Sequence, residues 1–218
     1  LISLGTGEPD LDTPQNIKEA AIAAINSGQT KYTPIDGTAE LKAAIRDKFA
    51  RENKLDYETA QIVVSSGANQ ALFNLCVALL NRGDEAIIPA PYWVSYPDMV
   101  RLAEAEPIFV ETGIEQDFKM TPAQLENAIT GKTRLLILNS PSNPTGASYK
   151  KAEFQALGAM LEKHPGIVVL SDDIYEHIHW ADEPFVSFAS ACPALKDRTV
   201  TTNGVSKAYA MTGWRIGY

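Results

Sequence analysis

The sequence predicts an α/β fold: a mostly parallel central sheet with helices on both faces, a three-layer αβα arrangement. Three observations predict it. Short apolar runs alternate with helix-like stretches between residues 61 and 202, the rhythm of repeated strand–helix–strand units. Two of those runs, Leu135-Leu136-Ile137-Leu138 and Ile167-Val168-Val169-Leu170, are apolar without alternation, as strands buried on both faces read. The 218 residues, 45% apolar and 21% charged, suffice to bury a large core without disulfides or a structural metal.

The elements follow in order. Thr13 reads as an N-cap with Pro14 at the first helical position and Gly28 as the stop. Ile17, Ala21, Ile22 and Ile25 recur between them at helical spacing, which predicts an amphipathic helix over 14–27. After a loop with Pro34 and Gly37, a second helix is predicted over 39–52. Leu41, Ile45 and Phe49 form its apolar stripe, and Lys42, Arg46 and Lys48 its solvated face. Strands are then expected at Gln61–Val64, Ala86–Ile88, Ile108–Val110, Leu135–Leu138, Ile167–Leu170 and Thr199–Thr202. Helices are expected over 69–80, 93–104, 122–129 and 150–163. Residues 1–37 are expected to form an N-terminal arm, and 38–218 one large domain.

Composition removes several function classes. Nineteen Lys plus Arg against twenty-seven Asp plus Glu leave a net charge of −8, the wrong sign for a nucleic-acid partner. No run approaches the roughly 18–20 apolar residues of a membrane span, and Leu1-Ile2-Ser3-Leu4-Gly5 lacks the basic start of a signal peptide. Cys76 and Cys192 are far apart and form no C-x-x-C, so a reducing, cytoplasmic setting is expected. The chain opens in mid-pattern and stops at Trp214-Arg215-Ile216-Gly217-Tyr218, as a fragment would.

In an open α/β sheet ligands bind beyond the carboxyl ends of the strands, so the residues just after each apolar run carry the chemistry. Four places are informative. Ser65-Ser66-Gly67-Ala68-Asn69 opens a helix with small residues whose backbone N–H groups suit a phosphate. It matches neither a P-loop nor a G-x-G-x-x-G fingerprint, and taken alone it is equally a tight turn. Asn139-Ser140-Pro141-Ser142-Asn143-Pro144-Thr145-Gly146 makes a stiff loop that would hold the Asn143 amide in place. Asp172 follows four apolar strand residues and needs a partner for its charge, and Tyr175 lies three residues further. A metal site built from Asp172, Asp173, Glu176, His177 and His179 meets no established ligand spacing, so no metal is expected. Last, Lys207 stands among small and apolar residues after the final strand. Partial desolvation there would lower its pKa and leave a neutral amine that attacks carbonyls. Arg215, eight residues later, is a natural phosphate ligand.

Together these places call for an anionic phosphate, a carbonyl for Lys207 and a basic ring nitrogen for Asp172. Pyridoxal 5'-phosphate meets all three demands.

The chain resembles the class I/II aminotransferases of the aspartate aminotransferase superfamily, the fold-type-I pyridoxal-phosphate enzymes. The carrying motifs are Gly5-Thr6-Gly7-Glu8-Pro9-Asp10, Lys31-Tyr32-Thr33-Pro34, Pro91-Tyr92-Trp93, Asn143-Pro144-Thr145-Gly146, Asp172-Asp173-Ile174-Tyr175 and Ser206-Lys207 through Gly213-Trp214-Arg215-Ile216-Gly217-Tyr218. The stretch Tyr92-Trp93-Val94-Ser95-Tyr96-Pro97 is most similar to the bacterial branch with aspartate and aspartate/prephenate aminotransferases. The resemblance implies that Lys207 forms the Schiff base and then moves the proton, and that Asp172 keeps the pyridine nitrogen protonated. It implies that Tyr175 and Asn143 bond the 3′ oxygen, Asn143 also reaching the substrate carboxylate, and that Trp93 stacks on the ring. Gly67, Ala68, Asn69, Ser206 and Arg215 would hold the phosphate, and Gly7 would offer its N–H to the substrate. Tyr32 would reach the phosphate of a partner subunit, hence a homodimer with shared sites.

The reaction so implied moves an amino group from aspartate or a related L-amino acid to a 2-oxo acid such as 2-oxoglutarate. The alternatives are a β-eliminating lyase of the same fold and a non-catalytic domain that senses the cofactor. There are two departures from the family pattern. Gly204 stands where many members carry a second serine, and the C-terminal part with the substrate-clamping arginine and the small domain is expected to lie outside these residues.

Overall fold

A computed structural model of the chain describes residues 7–218, so Gly5 and Thr6 of the first motif lie outside the described residues. Helix α1 spans Gln15–Asn26 and buries none of its residues. Pro14 rather than Thr13 is its N-cap, because the Thr13 hydroxyl is engaged elsewhere, donating to the Ala210 carbonyl at 2.6 Å. Gly28, at φ 78°, ends the helix in the left-handed conformation glycine tolerates best.

Helix α2 spans Ala39–Lys48, with the Thr38 side chain accepting from the Leu41 N–H. The predicted helix continues to residue 53 with a change of pitch: Phe49–Asn53 form a π-helical turn that ends at Lys54 in the left-handed region. Lys48, expected on a solvated face, is buried at 7% exposure. Its charge is met by Glu176, a partner 128 residues away that no helical periodicity reveals.

The elements that follow are α3 (Ala68–Leu79), β1 (Glu85–Ala90), α4 (Tyr96–Leu102), β2 (Glu106–Glu111), α5 (Pro122–Ala128), β3 (Thr133–Asn139), α6 (Lys151–Leu161), β4 (Val168–Asp172), α7 (Phe188–Ala191) and β5 (Thr199–Thr202). The five strands form one sheet in the order β2-β1-β3-β4-β5, and every pair is parallel. Alternate strand residues feed two separate cores. Ile87, Leu136, Leu138 and Val169 pack with Leu125, Phe154, Leu157 and Phe188 of α5, α6 and α7. Ala86, Ile88, Leu135, Ile137 and Leu170 pack with Leu72, Cys76, Met99 and Val100 of α3 and α4. Helices therefore cover both faces, and unalternating apolar strands are what this burial demands.

One expected strand is absent. Gln61 closes a short 3₁₀ turn, and 62–64 lie outside the sheet because β5 is its edge. Between them the chain at 216–218 runs antiparallel. Ser65 and Gly217 exchange both backbone bonds, at 2.8 and 3.0 Å, and Asn203 and Tyr218 do the same at 2.9 Å each. The register places Asn139 opposite Asp172 and Asp172 opposite Thr202, so the carboxyl ends of β3, β4 and β5 open at one level.

Candidate active site

A cleft of about 250 Å³ lies above those strand ends. Its lining brings together Gly7, Ala68, Asn69, Trp93, Asn143, Asp172, Tyr175, Ser206, Lys207 and Arg215, all singled out in the sequence. Gly67 stands at its edge: a Cβ there would overlap the Arg215 guanidinium. Tyr32 is elsewhere and fully exposed.

Asp172 ends β4 and is 4% exposed. Its Oδ2 accepts from the Tyr96 hydroxyl at 2.7 Å and its Oδ1 from the Ile174 N–H at 3.3 Å. No cation among the described residues neutralises it. Burial therefore pushes the carboxyl up to about 6, against the lowering effect of those two bonds. Beside it Tyr175 accepts from Asn143 Nδ2 at 3.4 Å, and burial, then the nearby Asp172 charge, raises its phenol pKa. Asn139, the last residue of β3, braces this wall: its Nδ2 donates to the Asp172 carbonyl at 3.0 Å, and its Oδ1 accepts from the Asn143 N–H at 2.7 Å.

Lys207 faces Asp172 from the turn after β5. Its ammonium donates to the Gly7 carbonyl and lies 5.9 Å from the centre of the Tyr175 ring. Desolvation lowers its pKa and the Arg215 charge lowers it further, while Glu8 opposes both. The surroundings thus favour the neutral amine more than water does.

At the far end the chain makes an anion cradle. Gly67, at φ 86°, is the N-cap of α3, so the N–H groups of Ala68 and Asn69 have no intrahelical acceptor and carry the positive end of the helix dipole. Arg215, held at φ 57°, donates to the Thr212 carbonyl at 2.9 Å with its guanidinium against Gly67. Ser206, 8% exposed, lines the same end. The glycine at 204 also has a packing reason. A Cβ there would meet the Ile216 carbonyl at 2.8 Å and Ile174 at 3.2 Å.

Tyr96 and Asn139 escaped the sequence reading. Tyr96 packs edge-on against Trp93, with ring centres 5.4 Å apart, so it holds both the carboxylate and the indole. The signal was the aromatic pair at i and i+3 where α4 begins. His177 and His179 do not enter the cleft: His177 is exposed and lies 3.2 Å from Glu52, and His179 meets the Ser148 hydroxyl at 3.0 Å.

Known proteins of similar sequence share this fold. The curated relatives include the aspartate/prephenate aminotransferase of Nitrosomonas europaea, 60% identical over all 218 residues, and that of Cereibacter sphaeroides, 59% identical over the same span. The chain spans about half the length of these relatives, 55% and 54%. Among solved structures, the aspartate aminotransferase from Rhizobium meliloti superposes with a TM-score of 0.97 at 54% identity, over 98% of this chain and 54% of that one. An aromatic aminotransferase from Pyrococcus horikoshii gives 0.96 at 43% identity, over 99% and 57%. The expected α/β fold is that of these enzymes. Residues 1–218 match the family Aminotransferase class I and II, and the chain belongs to that family.

Proposed function

We propose that this chain is the cofactor-binding part of an aminotransferase. It would transfer an amino group from aspartate or a related L-amino acid to a 2-oxo acid such as 2-oxoglutarate, with pyridoxal 5'-phosphate as cofactor. One observation carries the reading: a buried carboxylate without a cation, Asp172, and a partly desolvated lysine, Lys207, share one cleft that ends in an anion cradle. A ring N–H would answer the first, an aldehyde the second and a phosphate the third. When bound, pyridoxal phosphate supplies an aldehyde for the lysine and a protonated ring that draws electrons from the substrate carbon.

The roles of the chain's own groups follow. The Asp172 carboxylate would hold the ring N–H and keep the proton on it. Lys207 Nζ, whose charged form desolvation disfavours, would take and return the substrate proton. Tyr175 and Asn143 donate to the ring oxygen, and Trp93 covers the ring face. The N–H groups of Ala68 and Asn69, the turn at Gly67, Ser206 and Arg215 bind the phosphate. The Gly7 N–H and Asn143 receive the substrate carboxylate.

Residues 1–37 act as an arm and 38–218 as the cofactor domain, a division supported by α1 burying nothing. Tyr32 at 108% and Ile35 at 102% exposure, with Ile22 and Ile25 exposed on α1, fit a homodimer in which Tyr32 reaches the other subunit's phosphate site. Two buried free thiols, Cys76 and Cys192, fit a reducing cytoplasm. Among the described residues no helix is long and apolar enough to cross a membrane.

The test is made on the full-length protein loaded with cofactor. Aspartate converts the visible absorbance to that of the pyridoxamine form if the reading holds. Ammonia and a 2-oxo acid without that conversion identify a β-eliminating lyase, and a bound cofactor that aspartate leaves unchanged identifies a sensing domain. Lys207→Ala abolishes the visible band, and a band that persists in this variant overturns the assignment of Lys207.

A further inference from the structure

Beneath the cleft lies a second polar cluster that none of the roles above uses. Glu176, four residues after Asp172 and one after Tyr175, is 6% exposed. Its Oε1 accepts from the Lys48 ammonium and from Asn203 Nδ2 at 2.7 Å. Its Oε2 accepts from Asn53 Nδ2 at 2.7 Å, and Lys48 also donates to Asn53 Oδ1 at 2.8 Å. Asn203 passes the connection on, its Oδ1 accepting from the Gly204 N–H at 2.7 Å. Glu176 thus ties three segments: the helix that begins at Ala39, the turn that carries Asp172 and Tyr175, and the turn that leads through Gly204 to Ser206 and Lys207.

The local backbone is shaped for this. In a regular α-helix, residues five apart point about 140° away from each other, so Lys48 and Asn53 could not meet one carboxylate. The π-helical turn over Phe49–Asn53 widens the pitch and brings both to Glu176. Such turns are rare and gather at functional sites.

We propose that Glu176 is a positioning residue, which through Asn203 fixes the spacing between the Asp172–Tyr175 turn and the Ser206–Lys207 turn. The proposal rests on the reading of Asp172 and Lys207 given above. Its consequence is that the cluster governs cofactor retention and the acidity of the lysine–cofactor linkage, beyond any share in holding the fold. Lys48, which also lies 3.9 Å from Glu52, balances the charge, His177 Nδ1 stands 3.6 Å from Glu176 Oε1, and Asn53 completes the cage, so the Asn203 bond is the informative one.

Two double variants of the full-length protein, each removing one charge of either sign, test that bond. Lys48→Met with Glu176→Gln keeps the acceptor for Asn203 Nδ2 and puts an N–H where Asn53 Nδ2 donated, which Asn53 meets by turning its amide so that Oδ1, no longer taken by Lys48, accepts. Lys48→Met with Glu176→Leu keeps the volume and removes both. Three quantities are read: the unfolding temperature of the cofactor-free protein, the Kd for pyridoxal phosphate, and the pH midpoint of the visible absorbance.

The Gln pair is expected to retain wild-type Kd and midpoint. In the Leu pair the Kd rises about tenfold or more, as a displaced catalytic group would cause. Its midpoint moves by about one pH unit, the equivalent of tenfold in proton affinity. If the Leu pair does not fold, Asn203→Ala, which leaves Lys48, Asn53 and Glu176 in place, is read in the same way with the same expectation. An unfolding temperature that falls while Kd and midpoint stay at wild type marks a purely structural role and overturns the proposal. A wild-type protein that binds the cofactor with no visible band overturns the reading of Lys207 instead, and the two failures are distinct.

Discussion

Asp172 is the residue on which the cleft turns, and its nearest neighbour is a phenol. Tyr96 gives its one O–H to Oδ2 and has its ring against Trp93. The hydroxyl therefore fixes the carboxylate's orientation and favours its charged form. Tyr96→Phe leaves the packing intact and removes only that bond. Cofactor binding is expected to survive while turnover of the loaded full-length enzyme falls about tenfold, the worth of a hydrogen bond to a charged group expressed as a rate. Steady-state kinetics with aspartate check it, and unchanged kcat would show that Asp172 needs no such brace. Asp172, Lys207 and Arg215 were legible because each is locally improbable: a charge at the end of a buried strand, or a lysine among alanines and serines. Tyr96 and Glu176 were not. A tyrosine at a helix start and a glutamate in a polar turn are ordinary in sequence, and only the fold brings Tyr96 to Asp172 and Glu176 to Lys48.

Elements position the anion cradle through close backbone contact. The tie at 216–218 lies so near the first turn of α3 that a Cβ on Gly217 would overlap the Ala68 nitrogen and the Gly67 carbonyl carbon. Neither is a flexible side-chain end, so Gly217→Ala must displace the helix N-terminus or the Arg215 turn beside it. Affinity for pyridoxal phosphate and for inorganic phosphate is expected to fall about tenfold or more, since both donor sets lose alignment. Isothermal titration with each ligand measures this, and wild-type affinity for both would sink the account. The same tie explains the misread strand. Ile62-Val63-Val64 has the composition of a strand, but pairing depends on what lies alongside, and here the neighbour is three residues from the far end of the described chain. The inner strands β1, β3 and β4 were legible because burial on both faces leaves an unbroken apolar run. The π-helical turn left no trace, since its cause is the distant carboxylate of Glu176.

Over the molecule as a whole, two pairs of aspartates act on stability in opposite directions. Asp12 and Asp36, paired with Lys18 and Lys42, have their carboxyls held below the usual range, and such groups stabilise the fold above pH 4 and cease to do so in acid. Asp172 and Asp173 behave the other way. Burial raises Asp172 to about 6 and Asp173 to about 8, so the folded chain keeps protons that the unfolded chain has released. The sign is fixed by that difference: the contribution of these two groups to the stability of the cofactor-free protein falls as pH rises from about 4 to about 8. Asp173 is the larger contributor. Its Oδ1 accepts from the Ser171 hydroxyl at 2.7 Å, while its Oδ2 and the nearby Ser187 hydroxyl are both buried without a partner. Asp173→Asn removes the charge and offers an N–H to that side. The variant is expected to be more stable at pH 8 by about 1–3 kcal/mol, the cost of a buried unsatisfied group, and no different near pH 4. The fall in stability that remains between about 4 and 6 carries the contribution of Asp172. Urea unfolding of the cofactor-free protein at pH 4, 6 and 8 measures both contributions, and a variant whose stability runs parallel to wild type across that range would show that Asp173 is charged at no cost to the fold.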